Sequence, residues 1–170
     1  MLLHAPRPAR VRSAAPTPLG LADLSELTRS IAAQVRTGAH DAVLDPARRW
    51  YRRLYADPFV DVWLISWATE LATELHDHAG SLGALTVVSG ELQEQRWAPG
   101  ERSLRTRRLR GGRGATFPLG HVHDVVNTEP THAVSVHAYS PPLTAMSYYA
   151  VDAAGDLRRT RTVLTSGGEA

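Results

Sequence analysis

His76-Asp77-His78, followed by Gly83 and Gly90, and then Gly112, Pro118-Leu119-Gly120, His123 and Asn127, are the stretches on which the fold turns. Side chains two apart on an extended strand share a face, so His76 and His78 can point together while Asp77 faces away. Neutral imidazoles that converge in this way are a common arrangement for holding a transition metal. Asp77 reads instead as a strand-edge or hydrogen-bonding carboxylate behind them. His121 and His123 repeat the two-residue spacing, and on spacing alone either is a candidate third imidazole.

Around these stretches the chain is strand-like. From about Trp50 onward, short runs rich in Val, Ile, Leu, Thr, Tyr and Trp are separated by Gly, Pro and Asp at strand-length intervals. The pattern predicts strands over Phe59–Trp67, Leu71–His76, Gly83–Val88, Glu91–Trp97, Ser103–Leu109, His121–Asn127, His132–Tyr139 and Thr144–Val151. Trp50–Tyr55 reads either as a strand with Tyr51, Arg53 and Tyr55 on one face, or as a short helix begun at Asp45-Pro46. Ahead of it, Leu21, Leu24, Leu27, Ile31 and Val35 recur at three- and four-residue steps up to Gly38, the signature of an amphipathic helix. The expected fold is all-β, a jelly roll or small barrel with a short N-terminal helical segment. Residues 1–20, rich in Ala, Pro and Arg, are expected to form a mobile tail, 21–164 a single domain and 165–170 a loose end.

Composition removes whole classes of chemistry. All 19 basic residues are arginine, and there is no lysine and no cysteine. Schiff-base and thiol catalysis, disulfides, thiolate zinc sites and iron–sulfur clusters are therefore excluded, leaving histidine and carboxylate for any metal. No apolar run approaches the roughly 20 residues needed to cross a bilayer, so no membrane insertion is expected. The start lacks the continuous apolar core of a secretory signal, and a cytoplasmic location is the expectation.

The two stretches reproduce, almost position for position, the paired motifs of the cupin superfamily, whose spacing selects His123 over His121 as the third ligand beside His76 and His78. Most cupins carry a glutamate ligand where this chain has Gly83, so the site is expected to be three neutral histidines with the opposite positions open. An anionic thiolate can take the place of the missing charge. Over roughly Trp50 to Asp152 the chain resembles the cysteine dioxygenase (thiol dioxygenase) family, bacterial type. The resemblance rests on His76-Asp77-His78 leading into Gly90-Glu91-Leu92, on His123 to Asn127, and on Ser135-Val136-His137-Ala138-Tyr139-Ser140-Pro141-Pro142. It implies a hydrogen-bonded chain Ser135, His137, Tyr139 beside one Fe(2+) per chain, and a cis Ser140–Pro141 bond. Strand alternation agrees, since 135, 137 and 139 share a face. Arg53 looks like the family's substrate-carboxylate arginine, with Tyr51 beside it and Arg52 as the alternative if the register shifts by one.

The resemblance implies oxidation of L-cysteine by O2 to cysteine sulfinic acid. The alternatives are another small thiol such as 3-mercaptopropionate, or a non-catalytic metal-binding cupin. Relatives acting on mercaptopropionate usually carry glutamine where this chain has Arg53. Animal members carry a cysteine at the Gly83 position that crosslinks to the tyrosine, which this chain cannot do, and Met146 stands where they have a smaller cysteine. Arg102, Arg105, Arg107, Arg108, Arg110 and Arg113 crowd the segment between the motifs, but no aromatic lies between Trp97 and Phe117 to stack a base. They read as a solvated hairpin; no nucleic-acid partner is expected, and a monomer is favoured.

Overall fold

The computed structural model describes residues 18–165. Apart from residues 18–20 and Thr165, the expected tail segments lie outside that range. One helix, α1 (Leu21–Arg36), precedes strands β1 (Trp50–Ala56), β2 (Asp61–Trp67), β3 (His76–Asp77), β4 (Leu82–Ser89), β5 (Glu91–Ala98) and β6 (Ser103–Arg110). There follow β7 (Gly114–Phe117), β8 (His123–Val126), β9 (Ala133–Ser140), β10 (Ala145–Val151) and β11 (Leu157–Leu164).

The strands form two antiparallel sheets, in the orders β1-β2-β9-β4-β7 and β11-β10-β3-β8-β5-β6. They face one another as a cupin jelly roll, each sheet hydrogen-bonded within itself, so the two do not close into one continuous barrel. Between them lies one core, with Trp63, Ile65 and Trp67 of β2 meeting Leu85, Phe117, Tyr139 and Met146. The alternate residues Val62 and Leu64 point the other way into a second core, under the helix. That is why β2 is buried along its whole length: both of its faces are covered.

The helix carries its contact line at four-residue steps, Leu24, Thr28 and Ala32, with Leu27, Ile31 and Val35 packed beside it. Thr28 Oγ1 meets Thr86 Oγ1 at 2.9 Å inside this contact, which satisfies two otherwise buried hydroxyls. At its start, the Gly20 N–H donates to Asp23 Oδ2 at 3.0 Å. Just before it, the Leu19 N–H donates to Ser140 Oγ at 2.7 Å.

Three details depart from the sequence reading. The strand expected over Leu71–His76 shrinks to His76–Asp77, because Glu70 and Glu74 adopt positive φ (64° and 67°) and a left-handed residue cannot continue a pleat. Trp50–Tyr55 is strand, but a bulge between Arg53 and Tyr55 sets Tyr55 opposite Val62, off the face shared by Tyr51 and Arg53. Two strands are additional, the short β7 and the arginine-rich β11, whose mostly exposed residues carry no apolar alternation.

Candidate metal centre

The centre sits where β3 meets β8. His76 is the register partner of His123 across the ladder, and His78 follows two residues on, just beyond the strand. Short as it is, β3 is held at both ends. Upstream, the Thr73 N–H and Oγ1 both donate to Asp124 Oδ1, at 3.0 and 2.8 Å. At Asp77, Oδ1 accepts from the Ala79 N–H (3.0 Å) and Oδ2 from the Tyr149 hydroxyl (2.6 Å). Asp77 thus shapes the turn that carries His78.

The ring centroids of His76, His78 and His123 lie 5.0, 4.8 and 5.2 Å apart, and one ligating nitrogen from each falls within 4.8 Å of the others. All three are buried. His76 Nδ1 donates to the Glu74 carbonyl at 2.7 Å, a group presented by the left-handed backbone at Glu74. His123 Nδ1 donates to Glu94 Oε1 at 2.9 Å. With both Nδ1 atoms engaged, Nε2 is the nitrogen left to ligate in His76 and His123. Nε2 of His78 and of His123 is buried without a hydrogen-bond partner, which costs about 1–3 kcal/mol apiece unless something accepts the lone pair. A metal ion does so, and the residues fit one.

Burial depresses the proton affinity of each ring first, and the neighbouring imidazoles add to it at His76 and His78, which stay well below the usual histidine range. At His123 burial also wins, against the opposing Glu94 charge. Neutral rings are what a metal requires.

A second group of donors, Glu94, His121 and His123, is also close enough to hold an ion. Its atoms are already spent on one another. Glu94, fully buried, accepts from His123 Nδ1, from His121 Nε2 (3.0 Å) and from Arg107 Nε. Burial pushes the Glu94 carboxyl up, but these three donors outweigh it and hold the group far below the usual carboxylate range. Glu94 therefore reads as the carboxylate that orients His123, a role the sequence did not reveal because Glu94 lies 29 residues from His123 and only the β5–β8 pairing brings them together. His121, the rival ligand, serves the same carboxylate.

On the opposite sheet, Ser135, His137 and Tyr139 form a buried hydrogen-bonded line. Ser135 Oγ lies 2.9 Å from His137 Nε2, and His137 Nδ1 lies 3.3 Å from the Tyr139 oxygen. Trp67 extends it, its Nε1–H donating to Ser135 Oγ at 2.9 Å. An indole can only donate, so Ser135 Oγ accepts here and its one hydroxyl proton is available to His137 Nε2. With Ser135 donating to Nε2, a neutral His137 carries its proton on Nδ1 and donates to the Tyr139 oxygen, which leaves the phenolic proton for a group beyond the line. Burial, with His123 and Arg49 nearby, lowers the His137 pKa to about 3, so the ring is neutral as this polarity demands. Burial raises the Tyr139 pKa, Asp61 adds to it, and the phenol stays protonated. The Tyr139 ring stands 4.8 Å from that of His78. In the sequence Trp67 is legible only as strand core, since nothing along the chain ties it to Ser135.

Gly83 lies against that phenol. A Cβ there would come within 2.8 Å of Phe117 Cδ2 and 3.0 Å of Tyr139 Cδ1, so a side chain at this position must displace a ring. The Ser140–Pro141 bond is cis.

The expected substrate arginines divide. Arg53 lies opposite Trp63, its guanidinium 5.4 Å from that indole, with its side chain exposed at the rim. Arg52 turns to the other face, over Trp50. Arg49, unremarked in the sequence, is half-buried with a buried Nη1, and its guanidinium lies 5.1 Å from the Trp67 ring. Its charge is felt by Tyr139, Tyr148, His76 and His137. Tyr51, 40% exposed, sits between the two, edge-on to Trp63 at 6.1 Å. Five of the six arginines between the motifs are engaged elsewhere: Arg107 with Glu94, Arg108 and Arg110 with Glu91, Arg105 with Glu101, Arg102 with Asp156.

Solved structures with this fold include TT1209 from Thermus thermophilus, 20% identical over 59% of this chain and 90% of that one, with a TM-score of 0.52. A conserved protein with a double-stranded β-helix domain from Klebsiella pneumoniae matches at 18% identity over 59% and 78% of the two chains, with a TM-score of 0.51. An oxalate oxidase solved with the substrate analogue glycolate matches at 20% identity and a TM-score of 0.51; the alignment covers 60% of this chain and 55% of that one. These likenesses are of fold alone. No curated protein matches the sequence. The profile of the family described as cysteine dioxygenase type I matches residues 21–152, which takes in α1, all three candidate ligands, Trp67, Glu94 and the Ser135–Tyr139 line. The chain belongs to the cysteine dioxygenase type I family.

Proposed function

We propose that this protein is a non-haem iron thiol dioxygenase that oxidises L-cysteine with O2 to cysteine sulfinic acid. The observation that carries this reading is the meeting, in one buried place, of three neutral imidazoles with a proton line whose last donor is the Tyr139 phenol. One ferrous ion per chain, held by His76, His78 and His123, would supply the site at which thiolate sulfur and dioxygen meet. The thiol gives up the electrons that reduce O2, and both oxygen atoms end on sulfur, so no external reductant enters.

The remaining work falls to the protein's own groups. Glu94 fixes the tautomer and tilt of His123. Trp67, Ser135 and His137 hold the Tyr139 O–H as a donor toward substrate or oxygen. The guanidinium groups on the β1 face take the substrate carboxylate and order the molecule before reaction. Arg53 is the anchor expected from the family resemblance; Arg49, deeper and nearer Tyr139, joins it and is assigned the larger share.

Iron-loaded protein is expected to consume O2 with cysteine and to form a sulfinate, as read by an oxygen electrode with product mass spectrometry. Arg49→Gln is expected to raise the KM for cysteine by about tenfold or more, as loss of a charge-assisted contact implies. Arg53→Gln should raise it less. Turnover of 3-mercaptopropionate but not cysteine would overturn the substrate assignment, and an unchanged KM in both variants would remove the arginines from the site.

A further inference from the structure

The two sheets part where β6, the last strand of one, passes to β7, the last strand of the other. A cavity of about 490 Å³ opens at that seam, lined in part by Arg96, Arg105, Arg107, Thr116 and His121. Its size falls within the roughly 300–1,000 Å³ of small-molecule sites. A second cavity, of about 350 Å³, adjoins it through Arg107 and Thr116 and adds Ser25, Arg29 and Arg113 to the walls. Among the described residues no carboxylate lines either cavity, and none of His76, His78 and His123 does. The space is therefore distinct from the metal centre.

The guanidinium groups around it are not balanced by carboxylates. Arg105 is taken up by Glu101 through both Nε and Nη2. Arg107 gives only its Nε to Glu94, which leaves its two terminal amino groups for the cavities it lines. Arg96 is half-buried, yet among the described residues no carboxylate lies within ion-pair distance of it; Glu101 feels its charge but is held by Arg105. Arg113 has no carboxylate partner among the described residues either, and Arg29 meets only Ser25 Oγ, at 3.3 Å. A half-buried guanidinium without a counter-charge gives up hydration for no electrostatic return, and a bound anion supplies that return. Its planar fork suits the oxygens of a phosphate or sulfate group, to which a threonine hydroxyl can add a donor.

We propose that the cavity between Arg96 and Arg107 is a binding site for a tetrahedral oxyanion of the phosphate type, free or at the end of a small organic molecule. Arg96 and the terminal amino groups of Arg107 hold the oxyanion, and the Thr116 hydroxyl donates to it. Arg29 and Arg113, exposed on the adjoining cavity, draw it in through their field. The site needs neither iron nor a thiol, so it stands or falls apart from the function proposed above.

The test is titration calorimetry of the full chain, iron-loaded and metal-free, with inorganic phosphate and with glycerol 3-phosphate, in about 150 mM KCl to screen exposed charges. Both probes are expected to bind at one per chain with Kd below about 1 mM, equally with and without iron. Arg96→Gln should weaken both at least tenfold and keep or raise Tm, since it removes an unpaired charge. Arg96→Lys, which keeps the charge and loses the fork, should fall between the two. Arg29→Gln with Arg113→Gln should weaken binding no more than threefold, and less as salt rises. An ester that binds more tightly than phosphate assigns the site to an organic phosphate, and the reverse order assigns it to the free ion. Absence of saturation in wild type up to about 10 mM overturns the site. So does an affinity unchanged within twofold in both folded Arg96 variants, and so does binding that requires iron, because the anion then sits on the metal.

Discussion

Trp67 shows how much one donor can decide. A serine, a neutral histidine and a tyrosine can each give or accept a proton, so Ser135, His137 and Tyr139 alone could run in either direction. The Trp67 indole, which donates and never accepts, occupies one lone pair of Ser135 Oγ and so favours the direction in which Ser135 gives its proton to His137. Trp67→Phe keeps most of the packing and removes that constraint. We expect kcat for thiol oxidation to fall about tenfold, the worth of roughly one net hydrogen bond, with KM and iron content within twofold of wild type. Steady-state kinetics with metal analysis would check this, and an unchanged kcat would mean that the Trp67 contact is merely structural.

Elements divide the labour between holding the fold and building the site. The helix α1 packs on the outer face of the first sheet, through Leu24, Thr28 and Ala32, while every candidate ligand lies on its inner side or on the opposing sheet. Stability and metal binding should therefore separate. Leu24→Ala is expected to cost about 3 kcal/mol in a urea titration, as for a fully buried leucine whose cavity cannot collapse, and to leave iron stoichiometry unchanged. Loss of iron in that variant would show that the outer layer shapes the site. The alternation that puts His76 with His78, and 135 with 137 and 139, is readable in the sequence because period two follows from backbone geometry. The bulge after Arg53 and the left-handed turns at Glu70 and Glu74 are not, since such breaks answer to neighbouring strands.

At the scale of the whole molecule, folding places four imidazoles in a dry interior: His76, His78, His123 and His137 are all buried, with proton affinity lowered chiefly by burial. Their unfolded counterparts titrate near pH 6.5. Above that value both states are neutral and the rings contribute nothing to pH dependence. As pH falls below it, the unfolded chain takes up protons that the folded chain refuses, so stability drops by up to about 1.4 kcal/mol per pH unit for each such ring. Glu94, depressed in the fold, contributes stability that is present above the ordinary carboxylate range and lost progressively as pH falls through and below it, so it does not oppose the trend between pH 6.5 and 5. Metal-free protein is thus expected to melt at progressively lower temperature from pH 7 to pH 5, as followed by calorimetry, whereas a flat profile would place the rings in contact with solvent. The sequence by itself determined the all-β jelly roll, its leading helix, the three converging histidines and the family, because strand periodicity and motif spacing are local properties of a chain. Only the tertiary structure decided that Glu94 meets His123, that Trp67 donates to Ser135, that Arg49 lies deeper than Arg53, and that Asp61 faces Tyr139. Those relations join residues that share no motif and no neighbourhood along the chain, and they exist only once two sheets have been folded face to face.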